Sequence, residues 1–297
     1  MITKVFLYAM LLSTLLVGCQ PNEKAQLTAS VEGDGEDKGK GTVNKDLINA
    51  SGMTVASRFM LPDGFERTSV ATGSFAAYLR DLPLKPHGAK VHYYNGGVKE
   101  NYGVYDAVID IDVGKGDLQQ CADAVMRLRA EYLYHSEQED DIHFNFTNGF
   151  RVDYNKWKQG NRIVVKGNKS YWAASASPSN EYKSFRRYMD VIFSYAGTLS
   201  LSKELDQVAL DEMQIGDVFI QGGSPGHAVI VVDMAVNKEN GKKLFLLAQS
   251  YMPAQEIQIL KNPSNESTSP WYTSDFGQTL HTPEWTFEYD QLMRFPE

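Results

Sequence analysis

The chain is poor in cysteine. Among its 297 residues only Cys19 and Cys121 occur, so a scaffold stapled by several disulfides is excluded. No second long hydrophobic run follows the one at the N-terminus, and that one is too short for a membrane-spanning helix. Basic clusters and basic stripes are missing, and the formal net charge is −8, so nucleic acid is not an expected partner. The six histidines are scattered and none form a ligand pair at helical spacing. A metal hydrolase is therefore not expected, and no cofactor is. Gly114-Lys115-Gly116-Asp117 lacks the Gly-Lys-Ser/Thr ending of a phosphate-binding loop. Asp110 and Asp112 share one strand face without the rest of an EF-hand loop, and read as polar residues on a solvated face or at a cleft. There is no internal repeat.

What is present begins at the N-terminus. Lys4 supplies a positive n-region and Val5–Val17 an apolar h-region. Leu16-Val17-Gly18-Cys19 resembles the lipobox of bacterial lipoproteins. That resemblance implies cleavage before Cys19, acylation of that cysteine and a lipid anchor in the bacterial cell envelope, on the periplasmic or surface side of the outer membrane. Residues 1–19 are thus expected to be signal peptide and lipobox. Residues 20–45, rich in Gly, Glu, Asp, Lys and Ser, read as a flexible tether. Residues 46–297 are enough for a single globular α+β domain with a substantial core. If Cys19 carries lipid, Cys121 has no disulfide partner and must be either buried or used.

The organising stretch is Gln214–Leu260. Apolar runs at Val218–Gln221, His227–Ala235 and Leu244–Ser250, with a weaker one at Glu256–Leu260, are separated by Gly222-Gly223 and Asn237–Gly241. This predicts an antiparallel meander. His227 heads the second strand, where a preceding glycine leaves an imidazole held by a strand and open to a cleft. That is a place for a general base, although a histidine there also caps strands or fills core gaps. Upstream, a strand over Tyr105–Val113 runs into Gly114 and Gly116. A helix is expected from Asp117, as N-cap, to about His135, with Gln120 at the reciprocal capping position. Its apolar stripe is 118, 121, 122, 125, 128 and 132, so Cys121 sits both near the helix start and on the core stripe. The helix start and a nearby imidazole would lower the thiol pKa below the roughly 8.5 of a free cysteine. A cysteine opening a helix and a later histidine on an antiparallel sheet are what a thiol nucleophile and its base require.

Further elements frame this pair. Gly73–Asp81 reads as a short helix capped by Ser74, Val91–Tyr94 as a strand in a hairpin with Tyr105–Val113, and Ile142–Phe146 as a strand. Phe150–Ile163 reads as loop, Glu181–Tyr195 as an amphipathic helix and Leu199–Leu205 as a partly helical connector. His281–Phe295 is expected to pack back on the domain.

At Cys121, Gly216-Asp217 and Gly226-His227-Ala228-Val229-Ile230 the sequence resembles the papain-like cell-wall amidases and peptidases of the CHAP and NlpC groups. The Asp-Cys-Ser signature of NlpC proteins is absent, and Gln119-Gln120-Cys121-Ala122 stands closer to the CHAP pattern. As a whole the chain resembles an uncharacterised lipoprotein family of Bacteroidetes-type bacteria, in QQCADAVMRLRAEYLY, GHAVIVVDMA and LLAQSYMPAQ. The papain-like resemblance implies an antiparallel sheet packed on a cysteine-bearing helix, with Ile142–Leu205 as a helical insertion. It implies Cys121 as nucleophile, His227 as base, Gln249 orienting the ring and Gln120 as oxyanion donor. The expected reaction is cleavage of an amide bond in a peptidoglycan stem peptide or related peptide. Two other readings stay open: a non-catalytic lipoprotein that binds a glycan, peptide or partner protein, and a structural lipoprotein whose Cys121 is plain core.

Overall fold

The computed structural model describes residues 47–296. The expected signal peptide, the expected lipidation of Cys19 and the expected tether lie outside the described residues. The rest of the chain is mixed α+β, built on one large antiparallel sheet.

Nine strands make that sheet. Its main path runs Tyr105–Val108, Gln258–Leu260, Lys243–Gln249, His227–Asn237, Val218–Gln221, Leu292–Arg294, Asp206–Gln207. Phe65–Arg67 adds to His227–Asn237, and Tyr272–Thr273 to Lys243–Gln249. The predicted meander is therefore present, with Gln221 opposite His227, Ala248 opposite Ile230, and Gln249 opposite Gln258. The strand His227–Asn237 is buried at every position from His227 to Ala235. Successive side chains point to opposite faces, so this strand is covered on both, which is why it reads as an almost unbroken apolar run. The tail packs back as expected: Leu292 and Met293 pair with Phe219 and Val218.

The expected hairpin between Val91–Tyr94 and Tyr105–Val113 does not form. Tyr105–Val108 pairs instead with Gln258–Leu260, while His92 bridges Val98 and Tyr93 bridges Gln255. Ala107 and Val108 are almost fully buried, so the chain places this strand in the main sheet rather than on a local ribbon.

The cysteine-bearing helix is Cys121–His135, with Gln120 as N-cap. It begins four residues after the predicted cap. Asp117 is taken by tertiary partners: its Oδ1 accepts from the Ala254 backbone N–H at 2.7 Å and from Gln120 Nε2 at 3.1 Å. Asp123 supplies the reciprocal capping contact instead, accepting from the Gln120 backbone N–H at 3.0 Å. Almost every residue of the helix is buried, beyond the single stripe expected. One side packs on the sheet, and the helices Tyr182–Tyr195 and Thr198–Glu204 of the insertion pack on it as well. The charged residues on that second side pair within the interface: Arg127 with Glu131, and Tyr182 Oη donates to Glu131 at 2.7 Å.

Phe150–Ile163 is more ordered than a loop. It holds a strand at Arg151–Asp153, a helix at Tyr154–Lys158 and the start of a ribbon, Asn161–Lys166 with Lys169–Ala174. The five-residue helix is stabilised by packing rather than propensity. Trp157 is buried against the Tyr182–Tyr195 helix, and its Nε1 donates to the Ser184 carbonyl at 3.1 Å.

Candidate active site

A cavity of about 300 Å³ opens where the start of the cysteine helix meets the sheet. Gln120, Cys121 and Asp123 line it from the helix, and Gly223–His227 from the loop that leads into the histidine strand. Thr198 from the insertion and Tyr251 and Trp285 from the sheet side complete the wall. The structure thus brings Cys121, His227 and Gln120 to one cavity, and Gln249 stands behind His227.

Two backbone arrangements hold Cys121 there. Ser250, immediately after Gln249, places its hydroxyl 2.7 Å from the Gln255 carbonyl and 3.0 Å from that of Gln119, so its one hydrogen serves both. The Asp117 contact to Ala254 ties the preceding turn to the same loop. Cys121 is then the first helical residue, where the backbone amides of Ala122, Ala228 and Cys121 itself favour the thiolate.

The loop before His227 depends on missing side chains. A Cβ at Gly226 would lie 2.5 Å from both the Gly223 carbonyl oxygen and Thr198 Oγ1. A Cβ at Gly222 would lie 2.3 Å from Ser202 Oγ. The two glycines let the Thr198–Glu204 helix close on the loop, and Thr198 Oγ1 donates to the Gly223 carbonyl at 3.1 Å. The Gly216-Asp217 pair, by contrast, lies away from the cavity. Asp217 accepts two hydrogen bonds from Arg294, at 2.6 and 2.8 Å, and so fastens the C-terminal strand.

His227 is less open than a rim position implies: only 2% of it is exposed. Tyr251, Trp285 and Phe287 surround the ring at centroid distances of 4.9, 5.3 and 5.9 Å. Burial drives its pKa from 6.5 down to about 4; the Gln249 hydrogen bond opposes this and the Lys99 charge adds to it. The ring is neutral at pH 7. Its Nε2 lies 2.8 Å from Gln249 Oε1. An amide oxygen only accepts, so Nε2 carries the proton and Nδ1 holds the free lone pair. Gln249, expected from sequence to hydrogen-bond the ring, lies within hydrogen-bond distance of it.

The thiol departs from expectation. Burial, with a smaller contribution from Asp123, pushes the Cys121 pKa up to about 11, against the helix-start amides that favour thiolate. Asp123 is itself buried, and desolvation raises its pKa to about 8. Its Oδ1 has no hydrogen-bond partner. The cleft accordingly holds a neutral thiol and a neutral imidazole. Gln120 keeps one Nε2 hydrogen on Asp117 and has a second for another acceptor.

Sequence reasoning missed Glu284 and Lys99. Gln249 Nε2 donates to Glu284 Oε2 at 2.7 Å, and Lys99 Nζ donates to the same oxygen at 2.6 Å. They come from loops far from the cysteine and histidine in the chain. The only advance signal was the Pro283-Glu284-Trp285 patch in the tail, which places Trp285 in the cavity wall. Among the described residues no three His, Cys, Asp or Glu side chains group to hold a metal, and no helix is long and apolar enough to cross a membrane.

The chain belongs to the family described as Domain of unknown function (4846), whose model matches residues 55–294. No curated protein and no solved structure matches the chain.

Proposed function

We propose that this member of that family is a lipid-anchored envelope cysteine hydrolase with a papain-like site, cleaving an amide bond in a peptidoglycan stem peptide or a related peptide. The observation that carries the proposal is the shared cavity: Cys121 at the first position of a helix, and His227 held through Nε2 by Gln249 so that Nδ1 is the free base.

In the proposed reaction Cys121 Sγ attacks the amide carbonyl carbon as its proton passes to His227 Nδ1. A C–S bond forms and negative charge develops on the carbonyl oxygen. The second Nε2 hydrogen of Gln120 and the Cys121 backbone N–H, at the helix start, are the donors available to that oxygen. The C–N bond then breaks as His227 returns the proton to the leaving amine. Water adds to the thioester, gives a proton to His227, and the thiol is regenerated as the acid product leaves. Attack coupled to proton transfer requires no preformed thiolate, which fits a neutral resting pair.

One observation favours a second reading, non-catalytic binding of an envelope glycan, peptide or partner protein. The thiol at about 11 and the ring at about 4 carry no charge at pH 7, and the wall offers Tyr251 and Trp285 as stacking surfaces.

The test is peptide release from purified peptidoglycan, read by mass spectrometry. Cys121→Ala and His227→Ala should each abolish release, with the double variant little worse, because such residues act as a unit. Gln249→Ala should cost less. A wild type that releases nothing from varied stem peptides, yet is retained on sacculi equally with and without Cys121, would replace the hydrolase reading by the binding one.

A further inference from the structure

Behind His227 runs a line of buried polar groups that reaches beyond the reacting atoms. Gln249 is 1% exposed and Lys99 3%. The Glu284 carboxylate sits between them and accepts from both. Such a line is costly to bury unless every member is satisfied, so its geometry carries information.

The information lies in the direction of an amide. Gln249 can present either its oxygen or its nitrogen to His227 after a half-turn about its last bond, and the two ends have nearly the same shape. A carboxylate can only accept. Glu284 therefore compels Gln249 to turn its NH₂ outward and its oxygen toward His227. That oxygen in turn compels His227 to carry its proton on Nε2. If the amide were reversed, its NH₂ would face Nε2, which would have to accept. The ring proton would move to Nδ1, and the free lone pair would be tied up at Nε2 against Gln249.

We propose that Glu284 and Lys99 are positioning residues: Glu284 sets the direction of the Gln249 amide and so the tautomer of His227, and Lys99 holds in place the Glu284 oxygen to which Gln249 donates. The consequence for catalysis rests on the hydrolase reading, but the tautomer itself does not. The same chain explains why a glutamine serves here where a carboxylate is usual. A carboxylate at position 249 would need no direction, but it would face Glu284 as a like charge.

The experiment uses protein labelled with ¹⁵N-histidine and long-range ¹H–¹⁵N correlation spectra at pH 7. His227→Gln assigns the signals. In the wild type His227 should show a protonated Nε2 and an unprotonated Nδ1. Glu284→Gln, which can either donate or accept at Gln249, should give a mixture of tautomers or reverse them, and Glu284→Asp should return the Nε2–H form. Lys99→Met should also populate the Nδ1–H form. Near-native signals from the other five histidines show that each variant is folded. Peptide release is measured on the same samples, where kcat should fall with the fraction of Nδ1–H tautomer while KM changes little. Complete reversal would approach the roughly 10⁴-fold loss seen when a catalytic histidine is held in the wrong tautomer. An Nδ1–H wild type, or a Glu284→Gln spectrum identical to wild type, overturns the proposal even if the enzyme is active. A tautomer shift in protein that never cleaves peptide upholds the positioning role and removes the hydrolase reading alone.

Discussion

Burying a neutral imidazole ties folding stability to pH in a calculable way. His227 titrates near 6.5 when unfolded and near 4 when folded. Its folded pKa is depressed, so above 6.5 the ring costs nothing, being neutral in both states. As pH falls from 6.5 toward 4 the unfolded chain takes up a proton that the folded chain refuses, and stability is lost. At 1.36 kcal/mol per pKa unit the loss amounts to about 3 kcal/mol, most of it spent by pH 4. That is a large part of the roughly 5–15 kcal/mol that keeps a domain folded. Many carboxylates also titrate in this range, so the measurement is a difference. Urea unfolding of wild type and His227→Gln is followed at pH 4, 5, 6 and 7. Glutamine does not titrate and can still donate to Gln249 Oε1. The stability of the wild type relative to the variant should fall by about 3 kcal/mol between pH 7 and pH 4. Parallel profiles, differing by the same amount at every pH, would refute a neutral buried ring and with it the assignment of Nδ1 as the free base.

Three further outcomes follow from the same geometry. Gly226→Ala places a Cβ 2.5 Å from the Gly223 carbonyl and 2.8 Å from that of Gln221, so it should cost about 1–3 kcal/mol and lower Tm measurably by calorimetry. An unchanged Tm would mean that the loop has room. Iodoacetamide should alkylate Cys121 in folded protein with a midpoint well above pH 8.5, since burial holds the thiol near 11; a plateau reached below pH 8.5 would contradict that environment. A fatty-acid probe should label growing cells' wild-type protein and not Cys19→Ala, and equal labelling of both would dispose of the lipid anchor.

The parts legible in the sequence are those governed by local pattern. The meander could be read because glycine and asparagine turns separate its apolar runs, but the register that brings Gln249 to the His227 face depends on an irregularity between Leu246 and Leu247 that run lengths do not supply. Cys121 near a helix start could be read from a strand, a glycine turn and an acidic residue in the right order. The cap lies three residues later than expected because Asp117 bonds Ala254, a partner 137 positions away that no local rule supplies. The Val91–Tyr94 hairpin failed for the same reason: burial in the main sheet outweighed proximity in the chain. Burial also reversed the expected thiol shift. The helix-start amides do face Cys121, but desolvation and Asp123 outweigh them. Glu284 and Lys99 are 185 residues apart and meet only in the fold. A glutamic acid after a proline and a lysine before another acid carry no pattern of their own.

The central claim is that Cys121 becomes covalently bound to the acyl half of a peptide. Intact-protein mass spectrometry after rapid acid quench, with a stem peptide carrying an activated amide or ester, reads this directly. The wild type should form an adduct of the acyl fragment's mass, mapped to Cys121 and removed by hydroxylamine. Cys121→Ala should form none, and His227→Gln should form it more slowly. An adduct of the same size on Cys121→Ala, or turnover of the peptide with no adduct and undiminished rate in that variant, would contradict it.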